Sequence, residues 1–460
     1  MRTKQALIKN SIVGVWSKIS ILLFRIIQVP LLLSFLGVEG YGLWLVISSL
    51  PSWLTLANMG FGSVSANEMS IAMANGDVNK ARKILSSTVA LIFSISLIGI
   101  LLIVSIVPFI PWEVFIKLPA SRHNELAYTI IWLSSSVFLS FTTDVLSGRF
   151  RAARRAHVSM LLDSFKPWLE LLLMVIVLRF SARYDYLALS LLLSMVGYLI
   201  INTWLSGRSL PSLAFSFKAI EVSQFRLLFR KGIAFQAFPL GNALLFQGNL
   251  LVIQGVLGPV SVALFATTRT LVRSINQLME MVNAIIWPEL SVLIGTNDLV
   301  KAARLHRIGV GFTFISSVVC VLILSVFGHS IYELWTGKAI ALPQHLLILF
   351  LLPIVFNSIW YTSSVVHTSC NQHEGLAIRY LIASALAIIT CGVLSYYKGV
   401  EGAALSTLTV DLILIPYVIK RSLKLTGDTM SQFIAGIGHE IKLGISTAKQ
   451  MLRVPKKVAE

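Results

Sequence analysis

Four cationic side chains within long apolar runs are the residues of this chain best suited to bind an anion. Lys18 and Arg25 lie seven residues apart in the first run, and Arg269 and Arg273 lie four apart in a later one. Seven and four residues are close to whole helical turns, so each pair shares one face of a helix. Because guanidinium groups match phosphate oxygens, the spacing predicts a cationic cavity that binds an anionic ligand.

Two structural explanations compete with this cavity. A charge at the centre of a membrane helix costs about 2.5–3.5 kcal/mol on insertion scales, so it usually faces a cavity or a partner. Lys18 lies nearer the predicted inner interface than Arg25, and it could instead extend its ammonium group to the membrane surface. The two arginines of the later run could instead have the structural role of pairing with Glu280 or Glu289.

Amide and aromatic side chains add a second class of ligand group. Amides pair with hydroxyls, and aromatic faces stack on pyranose rings. A cavity with cations on one wall and amides on another therefore suits a ligand that carries both phosphate and sugar. The weaker candidates of this class are Gln28, Asn58, Gln247, Asn249 and Trp44.

Carboxylates within the apolar runs are candidates for coupling to H+ or Na+. Asp163, Lys166 and Glu170 share one helix face, where pairing among themselves is the preferred explanation. Asp144 and Asp411 have no obvious local partner, and their role stays open. The candidate ion-coupling residues are Asp144, Asp163, Glu170 and Asp411. We expect no metal site, because the cysteines and histidines lack ligand spacing, and we expect no cofactor.

The composition places these charges in a membrane protein. Of the 460 residues, 56% are hydrophobic and 13% are charged, and the mean hydropathy is +0.81. A soluble chain carries about 25% charged residues, and apolar runs of about 20 residues mark membrane helices. The net charge of +18 would also suit nucleic acid, but the apolar excess favours the membrane and no nucleic-acid partner. The first run has no small-residue cleavage site, which predicts a retained helix.

The apolar runs predict an all-α, polytopic membrane protein with about twelve transmembrane helices. Lysines and arginines of the short connections lie mostly on one side, which predicts that both termini are cytoplasmic. The spans are expected at about 11–35, 42–66, 85–108, 127–147, 158–179, 186–206, 232–257, 262–287, 308–328, 344–366, 377–397 and 401–419.

An internal repeat divides the chain into two similar halves. Residues 36–96 align without a gap with residues 257–317, and the register is kept by rare polar and glycine identities. These include Gly37/Gly258, Glu68/Glu289, Asp77/Asp298 and Lys80/Lys301. The repeat predicts two six-helix bundles in parallel orientation. The predicted domains are an N-terminal bundle, a basic cytoplasmic linker, a C-terminal bundle and an amphipathic, basic cytoplasmic tail: 1–206, 207–231, 232–424 and 425–460.

The halves differ where a ligand would bind. Ser48 and Ser52 stand in the first half where Arg269 and Arg273 stand in the second. The shared glycine turn and Asp-x-x-Lys-Ala loop are expected to be scaffold. We therefore expect substrate recognition at the positions that diverged.

Three stretches of the first half carry a family resemblance. FLGVEGYGLW at 35–44, ANMGFG at 57–62 and NGDVNKAR at 75–82 resemble Wzx-type polysaccharide flippases. That group also contains multidrug and toxin extrusion (MATE) transporters and lipid II flippases. The resemblance implies a MATE-like architecture with spans 1, 2, 7 and 8 around a central cavity. Family members are associated with a cationic cavity, which Lys18, Arg25, Arg269 and Arg273 match in kind.

The resemblance also implies a function. It is the transfer of an undecaprenyl-pyrophosphate-linked oligosaccharide repeat unit from the inner to the outer leaflet of a bacterial cytoplasmic membrane. The process would use alternating access and serve the assembly of O-antigen, exopolysaccharide or capsule. Membrane lipid, a coupling ion, and the polymerase and glycosyltransferases of the pathway are the expected partners.

Two other functions were weighed against the flippase. A MATE-type drug/cation antiporter would favour a carboxylate or aromatic cavity, so the basic residues count against it. A membrane-embedded polysaccharide polymerase or glycosyltransferase would need an exposed donor or acceptor site. The chain has no Asp-x-Asp pair and no sizeable outer loop, so a non-enzyme is expected.

Overall fold

The computed structural model describes residues 2–440 except 154, 234–235 and 371. Within those ranges the chain forms helices and turns and no strand, as the apolar runs predict. The helices are α1 (Arg2–Ser52), α2 (Phe61–Ala74), α3 (Val78–Ile106), α4 (Trp112–Ile116), α5 (His123–Ala152), α6 (Ala156–Phe180), α7 (Tyr184–Ser209), α8 (Val222–Ile233), α9 (Ala237–Ala243), α10 (Asn249–Leu257), α11 (Pro259–Arg273), α12 (Asn276–Gly295), α13 (Leu299–Thr336), α14 (Gln344–Ser369), α15 (Glu374–Ser406) and α16 (Leu408–Thr426). A further helix occupies residues 430–440.

Apolar helices of membrane-spanning length account for the predicted spans. Within the described residues, nine helical segments are long and apolar enough to cross a membrane. Two of them, Trp16–Ala74 and Glu374–Thr426, are long enough to contain two spans each. The remaining predicted span is α6, which carries Asp163, Lys166 and Glu170. The protein is therefore an all-helical, multi-pass membrane protein.

The chain forms two compact units, Met1–Ala263 and Leu264–Glu460. In the first unit, α5 packs against α2, α3 and α7, while α1 lies along α6. Phe61, Met69, Ile84 and Phe141 form part of its buried core. In the second unit, α14 packs against α12, α13 and α16, and α15 packs against α16. The boundaries predicted for the two bundles, the linker and the tail stay a prediction.

Backbone geometry repeats at the aligned positions of the two halves. Gly37 and Gly258 have φ/ψ of 69°/177° and 85°/178°. These positive φ values favour glycine, and the two residues separate the first two spans of each half. Asp77 and Asp298 each accept a hydrogen bond from a backbone N–H three residues later, at 2.8 and 3.2 Å. These are N-caps of α3 and α13. The internal repeat is thus visible in turns and caps as well as in identities.

The second span of each half is a broken helix, whereas the apolar pattern predicts a continuous one. In the first half, α1 ends after Pro51, and a 3-10 turn, Trp53–Asn58, precedes α2. In the second half, α11 ends at Arg273, and the amide of Ser274 bonds three residues back to Leu271 at 3.3 Å. Proline and competing hydroxyls weaken the helical hydrogen-bond ladder at these points. Polar groups are thereby left in the middle of an apolar run.

The described part of the predicted amphipathic tail packs on protein. Phe433 is 4% exposed and stacks on His306 of α13, with ring centroids 5.0 Å apart. Ile437 packs beside it, against the cluster that contains Val310 and Ile419. This apolar edge is therefore buried within the second unit. Residues 441–460 of the predicted tail lie outside the described part of the chain.

Candidate functional site

Lys18 and Arg25 lie on an exposed face of α1. Another face of α1 is fixed on α6, where Trp168 donates its indole N–H to the Ser20 hydroxyl at 2.7 Å. Ser20 in turn donates to the carbonyl of Ser164 at 3.2 Å. Within the described residues, no hydrogen bond or ion pair of Lys18 or Arg25 is found. Packing on α6 therefore holds the two cations in place without neutralising them.

The two cations are separated from the apolar exposed stripe of the same helix. At about 100° per residue, Lys18 and Arg25 lie about 140° around α1 from the centre of that stripe. An apolar stripe on a membrane helix is suited to lipid, and a charged face on the same helix is suited to a polar space. The stripe consists of Trp16, Ile19, Leu23, Ile26 and Ile27.

Two of the weaker candidates in the first unit are engaged by neighbouring side chains. Gln28 is half-buried, and its amide nitrogen lies 3.9 Å from the Met174 sulfur. Trp44 is 4% exposed and stacks on Tyr184, with ring centroids 6.4 Å apart. In this structure Trp44 belongs to the core of the first unit, and its ring face is covered.

Asn58 and Asp144 form a polar pair between two helical segments. The Asn58 amide donates to the Asp144 carboxylate at 2.7 Å. Gly62 makes this approach possible, because a Cβ there would lie 2.2 Å from the Cβ of Asp144. The buried Asn58 carbonyl oxygen has no partner within the described part of the chain. Sequence reasoning treated the two residues separately, since 86 positions divide them.

Gln247 and Asn249 lie within and directly after a local widening of the seventh predicted span. Residues Leu244–Gly248 form a π-helical turn that contains Gln247, a type of irregularity that is frequent at functional sites. Asn249 is 1% exposed, and its carbonyl oxygen has no hydrogen-bond partner among the described residues. Both amides are therefore held on an irregular helix within the first unit.

The carboxylates of α6 have different partners. Lys166 pairs with Glu170 at 3.6 Å, as the spacing predicts. Asp163 instead accepts a hydrogen bond from the Tyr198 hydroxyl at 2.5 Å, and Asn202 donates to the same hydroxyl at 3.1 Å. Tyr198 and Asn202 are four residues apart and share one face of α7. This spacing could have indicated a polar face on α7, but the sequence analysis did not identify it.

Arg269 and Arg273 end the broken helix α11 of the second unit. The Arg269 guanidinium lies over the Phe265 ring, 5.2 Å from its centroid, in a cation–π arrangement. Arg273 is exposed and interacts electrostatically with Tyr361 and Tyr380. The C-terminal end of a helix also favours positive charge. Helix termination and aromatic rings thus stabilise two cations within an apolar part of the chain.

Asp411 occupies a buried polar site in the second unit. It is 3% exposed and accepts hydrogen bonds from the Trp360 indole at 2.7 Å and the Asn357 amide at 3.4 Å. Trp360 also contacts Tyr361 and Tyr380, at centroid distances of 5.9 and 6.3 Å. Asn357 and Trp360 share one helix face at a spacing of three, so their polar groups converge on one carboxylate.

Metal-ligating residues do not cluster in the described part of the chain. No group of three or more histidine, cysteine, aspartate or glutamate side chains with the geometry for a metal ion occurs there.

Comparison with known proteins assigns the family. Residues 7–293, more than half of the chain, match the family described as "Polysaccharide biosynthesis protein". The chain belongs to this family. A protein of Yersinia pseudotuberculosis named "Putative O-antigen export protein" is 28% identical over 124 residues, which are 27% of this chain and 28% of that protein. The resemblance to Wzx-type exporters is thereby confirmed.

Solved structures show that this member of the polysaccharide biosynthesis family has a transporter fold. An inward-facing multidrug resistance MATE family transporter has a TM-score of 0.70 at 12% identity and covers 89% of this chain and 99% of its own. A MOP superfamily transporter from Pyrococcus furiosus has a TM-score of 0.62 at 15% identity, with coverages of 94% and 96%. At such identities the likeness concerns the fold alone.

The family match helps to sort the candidate residues of this polysaccharide biosynthesis protein. Its range includes Lys18, Arg25, Arg269 and Arg273, and it ends before Asp411. The four cations therefore lie in the part of the chain that carries the family pattern.

Proposed function

We propose that the protein is a flippase for an undecaprenyl-pyrophosphate-linked oligosaccharide repeat unit. It would move this lipid from the inner to the outer leaflet of a bacterial cytoplasmic membrane, for O-antigen, exopolysaccharide or capsule assembly. The observation that carries the proposal is the charged face of α1, where Lys18 and Arg25 lie apart from the apolar stripe. Family membership and a transporter fold support it.

The chemistry of such a substrate matches the side chains that each unit offers by itself. Cations bind pyrophosphate, and the first unit has Lys18 and Arg25, whereas the second has Arg269 and Arg273. Hydrogen bonds between charged partners contribute about 1.5–3 kcal/mol each. Amides such as Gln247 suit sugar hydroxyls. Moving the lipid changes no covalent bond, so the proposed protein is a transporter and not an enzyme.

Deletion of the gene tests this function. We expect loss of the surface polymer and accumulation of the lipid-linked repeat unit on the inner leaflet, both reversed by a plasmid copy. The measurement is extraction of the lipid-linked saccharide together with gel analysis of the polymer. A deletion strain that keeps its polymer, without a second flippase gene, would rule the proposal out.

The orientation of the chain follows from the charge bias of its connections. Because lysine and arginine are retained on the cytoplasmic side, reporter fusions at Gly207 and Leu425 should report cytoplasm, and a fusion at Ala120 should report periplasm. Paired phosphatase and fluorescent-protein fusions measure this. A periplasmic signal at Gly207 would contradict both the topology and the parallel orientation of the two halves.

Ion coupling is proposed for the carboxylates of the membrane helices, with the buried Asp411 as the strongest candidate in the second unit. Asp411→Asn keeps an oxygen that accepts from Trp360 and Asn357, but it removes the titrating group and the charge. We expect normal folding and loss of the dependence of flipping on an imposed H+ or Na+ gradient. The measurement is flipping in proteoliposomes with and without each gradient.

An exposed carboxylate serves as the control for this variant. Glu401 pairs with His345 at 2.6 Å and is 45% exposed, so Glu401→Gln should keep full gradient dependence. Gradient dependence that survives in Asp411→Asn would move the proposed coupling to Asp144, Asp163 or Glu170.

A MATE-type drug/cation antiporter is the second candidate. The observation in its favour is the presence of carboxylates in polar sites of both units, at Asp144, Asp163 and Asp411. Its signature in the deletion strain would be increased sensitivity to cationic drugs with intact polymer, the reverse of the result expected above.

A further inference from the structure

In each half, the segment that follows the sixth span is bound to the third span by an ion pair. The linker segment (residues 210–229) and the tail segment (residues 427–440) each place a glutamate on the third span of its own half. Lys83 pairs with Glu221 at 2.6 Å, and Arg304 pairs with Glu440 at 2.8 Å. Lys83 and Arg304 are equivalent positions of the repeat, each five residues after the start of its helix. The two cations are thus equivalent in the repeat, and each binds a glutamate of the segment that follows its own half.

The polar edge of the linker segment is bound to α3. Ser86 and Ser87 accept hydrogen bonds from the backbone amides of Ser216 and Glu221 at 3.1 and 2.9 Å. Arg82 donates to the carbonyl of Ser212 at 2.8 Å. The hydrogen bond from Lys83 holds the pKa of Glu221 below its usual value, so that pair stays ionised. The linker segment is therefore fixed to the first unit along its length.

The opposite edge of the linker segment exposes large apolar side chains. Phe217 and Val222 are 81% and 78% exposed, and Phe215 packs edge-on against Phe217 at 4.8 Å. Two exposed cations, Lys218 and Arg226, lie in the same segment. Aromatic rings beside cations are suited to the interface of a membrane, where the rings can contact hydrocarbon and the cations can contact anionic headgroups.

The position along α3 places this edge at the boundary of the bilayer. With 29 residues, α3 is about 43 Å long, which exceeds the hydrocarbon thickness of about 30 Å. Its exposed apolar side chains run from Phe93 to Ile106. About 20 residues back from Ile106 is Ser86, where the linker segment is bound. This distance predicts that the exposed rings lie at the level of the lipid headgroups.

The tail segment has the same construction on α13. The Asp428 side chain is fully buried and binds Arg307 through two hydrogen bonds, at 2.7 and 2.6 Å. Beside the packed edge of Phe433, its helix exposes Met430 and Ile434, at 50% and 65%. The tail segment is thus held on α13 by two ion pairs and by the packed Phe433, and it leaves an adjacent apolar strip uncovered by the described part of the chain.

We propose that the linker and tail segments are paired membrane-surface anchors, whose exposed apolar edges insert at the headgroup level of an anionic lipid leaflet. Each anchor ties the third span of its half to the bilayer surface. In both halves a cation at an equivalent position of the repeat pairs with a glutamate of the following segment, and an apolar edge lies beside the pair. This recurrence is the observation that supports a shared role. The basic residues of the linker segment favour anionic over neutral lipid.

Spin labels at three positions test the proposal in the full-length protein. Phe217→Cys and Ile434→Cys report on the two edges, and Asn79→Cys is the control, because Asn79 is exposed at the same end of α3. Cys320, Cys370 and Cys391 are replaced by alanine, and the protein is placed in nanodiscs that contain phosphatidylglycerol. We expect collisions with oxygen to exceed those with a water-soluble nickel complex at Phe217 and Ile434, and the reverse at Asn79.

Every other pattern contradicts the proposal. Nickel access at either edge equal to that at Asn79 would mean that the edge faces water. Protection from both reagents would mean that protein covers it. Hydrogen exchange of residues 215–222 in the wild-type protein is the second measurement and needs no substitution. We expect slower exchange in phosphatidylglycerol than in phosphatidylcholine nanodiscs, and equal exchange would overturn the preference for anionic lipid.

Discussion

Arg25→Ala is expected to abolish polymer export while the protein still inserts at a normal level. The side chain lies on the exposed, charged face of α1, so its removal leaves the packing on α6 intact. The loss of one charged hydrogen bond to phosphate, about 1.5–3 kcal/mol, corresponds to a roughly 10- to 150-fold weaker interaction. The measurement is complementation of a flippase-null strain together with the amount of protein in the membrane.

Matched variants separate charge from geometry at this position. Arg25→Lys keeps the charge but loses the planar guanidinium group that can bind two phosphate oxygens at once, so intermediate export is expected. Arg179 is exposed at the end of α6, and Arg179→Ala should export as the wild type does. If Arg25→Ala complements fully at normal protein levels, α1 does not bind the anionic group, and the cavity hypothesis fails for the first unit.

Gly42→Ala is expected to prevent accumulation of folded protein. A Cβ at Gly42 would lie 1.9 Å from the carbonyl oxygen of Pro259, a backbone atom that cannot rotate away. Both residues belong to the first unit. Overpacking of side chains typically costs about 1–3 kcal/mol, and a clash with backbone should cost more. The measurement is monodisperse protein recovered in detergent and its thermal unfolding.

Gly255→Ala is the control for this effect. A Cβ at Gly255 meets no atom within 4 Å, and the residue is exposed on α10. Because alanine is the better helix former by about 1 kcal/mol, stability should be equal or slightly greater. Gly42→Ala protein that unfolds at the wild-type temperature would show that the approach of Gly42 to Pro259 is not required for the fold.

The sequence predicts those features that depend on local pattern. Apolar runs locate the spans, and the repeat register pairs Gly37 with Gly258 and Asp77 with Asp298, whose conformations do agree. Such features follow from glycine freedom, capping and hydrophobicity, each of which acts over a few residues. For the same reason the charged faces of α1 and α11 could be proposed before any contact was known.

Contacts between distant segments could not be predicted in the same way. Nothing near Asp411 in the sequence indicates that Asn357 and Trp360 will bind it. The linker is apolar and basic in sequence, and its binding to Ser86 and Ser87 depends on the tertiary fold. The helix breaks after Pro51 and at Ser274 were also missed, because an apolar run hides a local loss of helical hydrogen bonds.

The most direct test of the central claim is flipping of a lipid-linked oligosaccharide by the purified protein. Proteoliposomes would contain undecaprenyl-pyrophosphate-linked repeat unit, and a glycosidase outside the vesicles would report the fraction in the outer leaflet. We predict that wild-type protein makes nearly all of the saccharide accessible and that Arg25→Ala leaves about half of it protected, as in protein-free vesicles. Equal access with wild-type and Arg25→Ala protein, or no flipping by the wild type, would contradict the account.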